Sequence, residues 1–359
     1  KRGVQFEKKG EYAKAMEAYR KSITRDPNYA LSYFGLGSVY SKNKLWDASL
    51  ENLLKARDMG IDDQDIHMLL GSVYEAMGKT DLAAEEYGRA IKARPDDVLS
   101  HLKLGATMEK SRDFEGALVE YRAASSIVID FPEAYFHAGR MLVELGRSRE
   151  AEEALGQALK LNKKYAAAQN ELTILRIRQN RIQNAFESAK KTLDIDAGYV
   201  PGMVNMGYVF ELMNDQKAAM QWYVKALRRN PDSDMAHYRL GILKKKMGDG
   251  KGAKEEFMAA VQANSSLSSA LNELGILSLG DGDYTGAFDY FSDATAADST
   301  FSDAYYNMAG IRMNMGNYSS AAEYYKKYLD FAGNPEDSSE VRARIDMLSS
   351  RTLNTGGNK

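Results

Sequence analysis

Small and large apolar residues recur along this chain at intervals that place them on one face of an α-helix. In one segment, Ala83, Tyr87 and Ala90 are spaced by four and three residues, with charged and polar residues between them. Residues with that spacing share one side of a helix. The pattern therefore predicts an amphipathic helix, and it returns at regular intervals through the chain.

The pattern has a fixed period of 34 residues. Its most regular column is a small residue that occurs ten times without insertion or deletion: Ala15, Ser49, Ala83, Ala117, Ala151, Ala185, Ala219, Ala253, Ala287 and Ala321. A glycine column with the same period lies in the preceding segment: Gly3, Gly37, Gly71, Gly105, Gly139, Gly207, Gly241 and Gly275. Such a period is typical of a solenoid of stacked repeats.

Each repeat is predicted to form two antiparallel helices joined by a tight turn. A Leu-Gly pair such as Leu70 and Gly71 marks the first helix, and the stripe of small and large apolar residues marks the second. Several first helices end at a glycine that suits a left-handed closing residue: Gly78, Gly146, Gly248, Gly282 and Gly316. We expect Gly37 to face Ser49 and Ala56, so that the paired helices approach closely.

The repeated Leu-Gly, Tyr, Gly-x-Tyr/Phe, Ala, Tyr and Ala-x4-Pro elements resemble the tetratricopeptide repeat over nearly the whole chain. The resemblance implies an all-α fold, a right-handed α-solenoid superhelix of about ten tandem helix-turn-helix repeats in residues 1–335. An apolar stripe after Pro335 predicts a capping helix at 336–351, and we expect a flexible tail at 352–359. Because the first repeat lacks the beginning of its first helix, we expect the natural protein to extend upstream.

The repeat at 166–199 departs from the pattern. It has Thr173 for the packing glycine, Thr192 for the small alanine and Ala189 for the large residue. Two enlarged sites and one emptied site would change the angle between its helices. We therefore expect a local change of superhelical curvature at this repeat.

Composition narrows the class of partner. The 359 residues are 44% hydrophobic, and 48 basic against 50 acidic residues give a net charge of -2. We expect no general attraction to nucleic acid or to an acidic membrane. The lack of cysteine excludes disulfides and thiolate sites and fits a cytoplasmic or a bacterial periplasmic protein. No apolar run approaches the roughly 18 residues that span a bilayer, so this segment is not expected to insert into a membrane, although a signal or anchor could lie outside it.

The sequence offers no candidate for catalysis. It has no phosphate loop, nucleophile elbow or paired metal motif. His67, His101 and His237 occupy the position of Tyr33 in other repeats, so we interpret them as packing substitutes for an aromatic ring, whereas His137 lies on another face. We expect a non-enzymatic protein with no cofactor.

One stretch resembles a calcium-binding loop. Asp281, Asp283 and Asp289 lie near the spacing of loop ligands, with Gly286 between them. The twelfth position would be Ser292 instead of glutamate, and the stretch aligns with the turns of other repeats. We expect a capped turn and no metal.

The resemblance also implies a concave groove, lined by the first helices, that binds peptides or helices of other proteins. In the N-terminal half the corresponding column is apolar: Phe34, Met68, Leu102 and Phe136. Such residues suit an amphipathic helix or the apolar anchors of a partner, and they could allow self-association. The alternative is that they belong to the core between repeats.

In the C-terminal half the groove columns become polar and aromatic: Asn170, Asn205, Tyr208, Tyr238, Arg239, Asn272, Tyr306 and Asn307. An asparagine amide both donates and accepts, so a line of asparagines can hydrogen-bond the backbone of an extended peptide. A solvated polar face is the alternative.

The leading hypothesis is a scaffold that binds segments of partner proteins during assembly of a larger complex. The alternative is the substrate-recruiting arm of a larger enzyme such as a glycosyltransferase, because the asparagine-lined groove resembles that of O-linked sugar transferases. Both hypotheses require a protein or peptide ligand.

Overall fold

The computed structural model describes residues 2–333 and 335–356, with side chains up to residue 351. Over these residues the regular structure is α-helical. None of the described helices combines the length and apolar character that crossing a bilayer requires. The chain divides into two compact units, Lys1–Gln179 and Asn180–Lys359.

The first compact unit contains eleven helices, all of them short: α1 (Arg2–Lys8), α2 (Tyr12–Arg25), α3 (Ala30–Lys42), α4 (Trp46–Asp58), α5 (Gln64–Ala76), α6 (Thr80–Ala93), α7 (Val98–Lys110), α8 (Phe114–Ile127), α9 (Pro132–Glu144), α10 (Ser148–Leu161) and α11 (Ala166–Arg178). The second compact unit continues with α12 (Ile182–Ile195), α13 (Val200–Leu212), α14 (Gln216–Arg229), α15 (Asp234–Lys246), α16 (Gly250–Ala263), α17 (Ser268–Gly280), α18 (Tyr284–Ala297), α19 (Ser302–Asn314), α20 (Tyr318–Phe331) and α21 (Ser338–Gly356).

Within each compact unit the helices pair as hairpins, as the sequence predicts. The pairs of the first unit include α3 with α4, α5 with α6, α7 with α8 and α9 with α10. Those of the second unit are α13 with α14, α15 with α16, α17 with α18 and α19 with α20. The second helix of each hairpin also packs against the first helix of the next one, which makes the core of each unit continuous along its length.

The turns inside the hairpins use a left-handed residue. The five predicted glycines have φ between 71° and 83°: Gly78, Gly146, Gly248, Gly282 and Gly316. Where a repeat has no glycine, Lys44, Arg112 or Asn214 adopts a φ of 59° to 63° instead. The glycine C-cap prediction is therefore confirmed, and the other repeats accept the steric cost of a side chain at this position.

The packing glycine of the first helix accommodates the large residue of the second helix. A Cβ added to Gly71 would lie 2.6 Å from Cε1 of Tyr87, and one added to Gly241 would lie 2.6 Å from Cε1 of Phe257. At Gly37 the nearest atom belongs to Leu53, at 2.7 Å. The expectation that this glycine faces small residues alone was thus incomplete, since the space it leaves is filled by a large side chain.

The last helix covers the apolar side of α20. Val341, Ile345 and Leu348 are buried against a cluster that contains Ala321 and Tyr325. The helix runs from Ser338 to Gly356, so the backbone at 352–356, expected in a flexible tail, continues it. Residues 357–359 of the expected tail lie outside the described part of the chain.

The boundary between the two compact units falls inside the irregular repeat, at the turn between α11 and α12. Thr173, Ala189 and Thr192 are all fully buried. The change of curvature at this repeat stays a prediction.

Two glycine-to-alanine substitutions in the second compact unit test the packing argument. Gly241→Ala places a methyl group against the Phe257 ring, and we expect it to lower the free energy of unfolding by roughly 1 to 3 kcal/mol. Gly310→Ala is the matched control, because a Cβ there meets no atom within 4 Å, and it should raise stability by up to about 1 kcal/mol. Thermal denaturation followed by circular dichroism measures both, and equal effects would contradict the argument.

Candidate functional site

The predicted apolar groove of the first compact unit is mostly core. Phe136 is only 9% exposed and belongs to a buried cluster, with its ring 5.0 Å from that of Tyr165. Phe34, Met68 and Leu102 are half-buried and pack against core residues. The prediction of a groove-exposed Phe136 was therefore wrong, because its ring fills the space between neighbouring hairpins.

Some apolar surface remains accessible at the start of this unit, where Val4, Leu31 and Phe34 line a cavity of about 700 Å³. Leu31 and Leu99, which begin two of the first helices, are 55% and 54% exposed. Asn170, predicted in the polar part of the groove, is 4% exposed and lies in the interior of the same compact unit. The side chain of Asn170 is therefore largely covered by the protein.

Sequence reasoning missed a set of charged clusters on the first helices. In four hairpins the buried tyrosine of the second helix donates its hydroxyl to a glutamate twelve residues earlier: Tyr19 to Glu7, Tyr87 to Glu75, Tyr121 to Glu109 and Tyr223 to Glu211, at 2.5 to 3.1 Å. Each glutamate also pairs with a base of the next repeat, respectively Lys42, Lys110, Arg140 and Lys246. Burial, and to a smaller extent the negative charge of Glu109, raises the pKa of the Tyr121 hydroxyl. The hydroxyl therefore stays protonated and remains a hydrogen-bond donor.

The sequence carries a signal for these clusters. Where the second helix has Phe257 or Phe291, the position twelve residues earlier is Lys245 or Leu279, not glutamate. A phenylalanine has no hydroxyl, so no acceptor is needed. The pairing of tyrosine with glutamate could have been read from four repeats, and the repeat of Tyr325 is the exception, with Met313 twelve residues earlier.

Three histidines hold polar contacts between helices. His67 Nδ1 lies 2.7 Å from Glu86, His101 Nδ1 lies 2.6 Å from Glu120, and the same contact recurs at His237. The second ring nitrogen of each bonds the preceding loop, at 2.7 to 3.0 Å. Their interpretation as packing substitutes for an aromatic ring was incomplete, because each ring also links three segments through hydrogen bonds.

The calcium-like stretch is the turn between α17 and α18. Asp283 accepts a hydrogen bond from the backbone N–H of Gly286 at 2.9 Å, which makes it the N-cap of α18. Gly282 closes α17 with a φ of 80°. The predicted capped turn is confirmed. Over the described residues, no cluster of three or more carboxylates and histidines could hold a metal ion.

A partly buried carboxylate, that of Glu171, lies in the first compact unit. Burial raises the pKa of Glu171 to about 7, and the charges that act on it come from Arg140, Glu144, Arg178 and Glu109. No hydrogen bond or ion pair joins Glu171 to another described residue. Its ionisation near neutral pH therefore costs folding free energy.

The second compact unit keeps its polar and aromatic first-helix residues accessible. Asn205, Tyr208, Tyr238 and Arg239 are half-buried. The Arg239 guanidinium lies over the Tyr208 ring, with its carbon 3.7 Å from the ring centroid, and 6.0 Å from that of Tyr238. Within the described chain it makes no hydrogen bond or ion pair, so its N–H donors are free for a ligand.

Two asparagines of this unit meet at a cavity. Asn307 donates through Nδ2 to Oδ1 of Asn272 at 3.0 Å. Asn272 is 6% exposed, and its own Nδ2 has no acceptor among the residues described. Both line a cavity of about 310 Å³, together with Glu273, Ile276, Asp303, Tyr306, Tyr328 and Asp337. The structure thus brings together three predicted residues, Asn272, Tyr306 and Asn307.

Sequence models of repeat families match most of the chain. One, described as tetratricopeptide repeat, matches residues 68–126, 136–200 and 238–301, together more than half of the chain. The chain belongs to the tetratricopeptide repeat family. Further models of this family match residues 5–44, described as TPR repeat, and residues 200–233 and 278–345.

Two relatives of this tetratricopeptide repeat protein are much longer. The chain is 21% identical over 257 residues to human Protein O-mannosyl-transferase TMTC3, covering 66% of this chain and 28% of that protein. It is 28% identical over 123 residues to the peroxisomal targeting signal receptor of Candida glabrata, covering 34% of this chain and 20% of the receptor. The chain spans less than a third of either relative.

The fold is shared with a solved tetratricopeptide repeat structure. The crystal structure of yeast Tom70 superimposes with a TM-score of 0.62, covering 98% of this chain and 95% of that chain. At 12% sequence identity the likeness shows the fold alone.

Glu171→Gln tests the buried carboxylate through the pH dependence of stability. Because the pKa of Glu171 is raised in the folded chain, its stabilising contribution is present below about pH 4.5 and is lost as the pH rises through about 7. Gln cannot ionise, so we expect the variant to exceed the original chain in unfolding free energy by about 1 to 3 kcal/mol at pH 8.5 and to match it near pH 5.

Thermal denaturation at the two pH values measures this difference. Glu153→Gln is the matched control, because it removes an exposed carboxylate from α10 and should show no such pH dependence. An equal change for Glu171→Gln at both pH values would contradict the assignment.

Proposed function

We propose that the second compact unit binds an extended segment of a partner protein along the face formed by its first helices, as part of a non-enzymatic scaffold. The Asn272–Asn307 pair carries this proposal. Asn307 fixes the Asn272 amide, and the remaining Nδ2 donor lines the cavity. This donor has no acceptor among the described residues, and a backbone carbonyl of a bound segment would accept a hydrogen bond from it.

Arg239 supports the same function. Its guanidinium is stacked on Tyr208 and so is fixed in orientation before a ligand arrives. A fixed group loses less side-chain entropy on binding, and a guanidinium forms strong hydrogen bonds with carbonyl or carboxylate oxygens. The lysines that follow it on α15, Lys244, Lys245 and Lys246, are paired with Glu256, Glu273 and Glu211, whereas Arg239 makes no ion pair with any described residue.

The relatives favour a protein ligand. The name of the Candida glabrata relative describes a receptor for a targeting signal. A face of free amide and guanidinium donors suits such an extended segment, because every residue of a peptide offers a carbonyl acceptor. A role in assembling a larger complex is consistent with this kind of recognition.

A second candidate is the substrate-recruiting arm of a larger enzyme. Its support is the similarity to human Protein O-mannosyl-transferase TMTC3, of which the chain covers 28%. The arm of an enzyme would bind its substrate on the same face as the scaffold binds its partner. The two proposed functions therefore differ only in what the full-length gene encodes beside the repeats. A transferase domain in the full-length transcript would favour the arm, and its absence would favour the scaffold.

Selection of phage-displayed random decapeptides on the immobilised chain tests the proposal. The best peptide is then synthesised, and its dissociation constant is measured by fluorescence anisotropy. We expect Asn272→Ala to weaken binding roughly threefold to tenfold, the equivalent of one net hydrogen bond of about 0.5 to 1.5 kcal/mol.

Gln221→Ala provides the matched control. It removes an exposed amide from α14, and Gln221 does not line the cavity, so binding should stay unchanged. Failure to select any peptide, or equal affinity of both variants, would count against the proposal. The melting temperature of Asn272→Ala is measured in parallel, since equal losses of stability and affinity would assign Asn272 to the fold.

A further inference from the structure

The cavity beside Asn272 carries more negative charge than the surrounding protein neutralises. Three carboxylates line it: Glu273, Asp303 and Asp337. Glu273 pairs with Lys245 at 2.5 Å. Neither aspartate has an ion-pair partner within the described part of the chain.

The nearby base does not neutralise these aspartates. Arg344 pairs with Glu340 at 2.7 Å and donates to the hydroxyls of Tyr325 and Tyr306, at 3.2 and 3.5 Å. Its guanidinium is therefore held by Glu340, Tyr325 and Tyr306, and it makes no ion pair with Asp303 or Asp337. Two unpaired carboxylates around one cavity attract a cation more strongly than isolated surface charges do.

The walls of the cavity are aromatic. The rings of Tyr306 and Tyr328 meet edge to face, with centroids 5.1 Å apart. Tyr328 donates its hydroxyl to Oδ1 of Asp337 at 2.8 Å, and burial, together with this hydrogen bond, raises its pKa to about 12. The hydroxyl thus stays protonated and holds the Asp337 carboxylate in place.

A planar cation fits these features better than a metal ion or a neutral side chain. A guanidinium stacks on aromatic rings and forms paired hydrogen bonds with carboxylates, whereas a neutral amide has no attraction to them. The volume of about 310 Å³ is at the small end of ligand sites, roughly 300 to 1,000 Å³, and suits one long side chain.

We infer that this cavity is a specificity pocket for an arginine side chain of the bound segment, with Asp303 and Asp337 facing the guanidinium and Asn272 donating to the adjacent backbone. The inference rests on the proposed function and names the chemistry of its ligand. Asn272 gives it a second, uncharged basis, because this residue is 6% exposed, lines the cavity and has an Nδ2 donor without an acceptor among the described residues.

Two small probes separate the effect of the ligand's positive charge from the effect of its shape. N-acetyl-arginine N-methylamide and N-acetyl-citrulline N-methylamide have nearly the same shape, but only the first is a cation. Titration of each into the isotope-labelled chain, followed by NMR, gives the two dissociation constants. We expect the arginine probe to bind at least about tenfold more tightly, and the difference to shrink at high salt because the attraction is electrostatic.

Paired aspartate-to-asparagine variants locate the effect. In the double variant Asp303→Asn/Asp337→Asn each side chain keeps an oxygen that can accept hydrogen bonds such as that from Tyr328. We expect the preference for the arginine probe over the citrulline probe to fall below about twofold. Asp289→Asn/Asp293→Asn changes the net charge equally at exposed positions on α18 that do not line the cavity, and should keep the preference. Asp303→Asn alone is a milder variant, since no hydrogen bond in the described chain depends on its carboxylate.

Each outcome has a distinct meaning. Equal binding of the two probes, no binding of either, or the same behaviour of both paired variants would overturn the inference. If decapeptides still bind in an Asn272-dependent way without a preference for arginine, the pocket assignment fails while the proposed function stands. If the arginine probe binds but no decapeptide does, the proposed function fails and the selectivity of the pocket stands.

Discussion

The fold depends on one contact, made in most hairpins between a glycine of the first helix and a large residue of the second helix. At Gly71 and Gly241 the partner ring occupies space that a methyl group would need. The close approach buries the large residue completely, as at Tyr87 and Phe257. Because the same contact recurs every 34 residues, neighbouring hairpins of each compact unit present equivalent faces to one another.

The chemistry of that large residue then determines the charges on the first-helix face. A tyrosine brings a hydroxyl to the edge of the core, where Glu75 or Glu211 accepts it and in turn holds a base from the next repeat. A phenylalanine has no hydroxyl and therefore needs no acceptor. In the repeats that contain Phe257 and Phe291, the face is free to carry other groups, such as the paired Lys245 and Glu273.

Local sequence pattern predicted the helices, the turns and the family because these depend on spacing within a few residues. The pattern also placed Asn272, Tyr306 and Asn307 in neighbouring columns, and the structure has them around one cavity, because equivalent positions of adjacent repeats lie side by side. It failed at Phe136 and Asn170, which lie in the same column but are buried in the core. Exposure depends on the neighbouring hairpins, and the repeat pattern does not contain their side-chain packing.

The sequence by itself determined the period, the helical hairpins and the columns of equivalent first-helix positions, because backbone geometry and glycine conformation act locally. Only the tertiary structure decided which of those positions a ligand can reach and which charges remain unpaired. Asp337 illustrates the difference, since it lies 65 residues after Asn272 in the sequence and yet lines the same cavity. The packing of α20 and α21 in three dimensions places it there, and no local pattern encodes that distance.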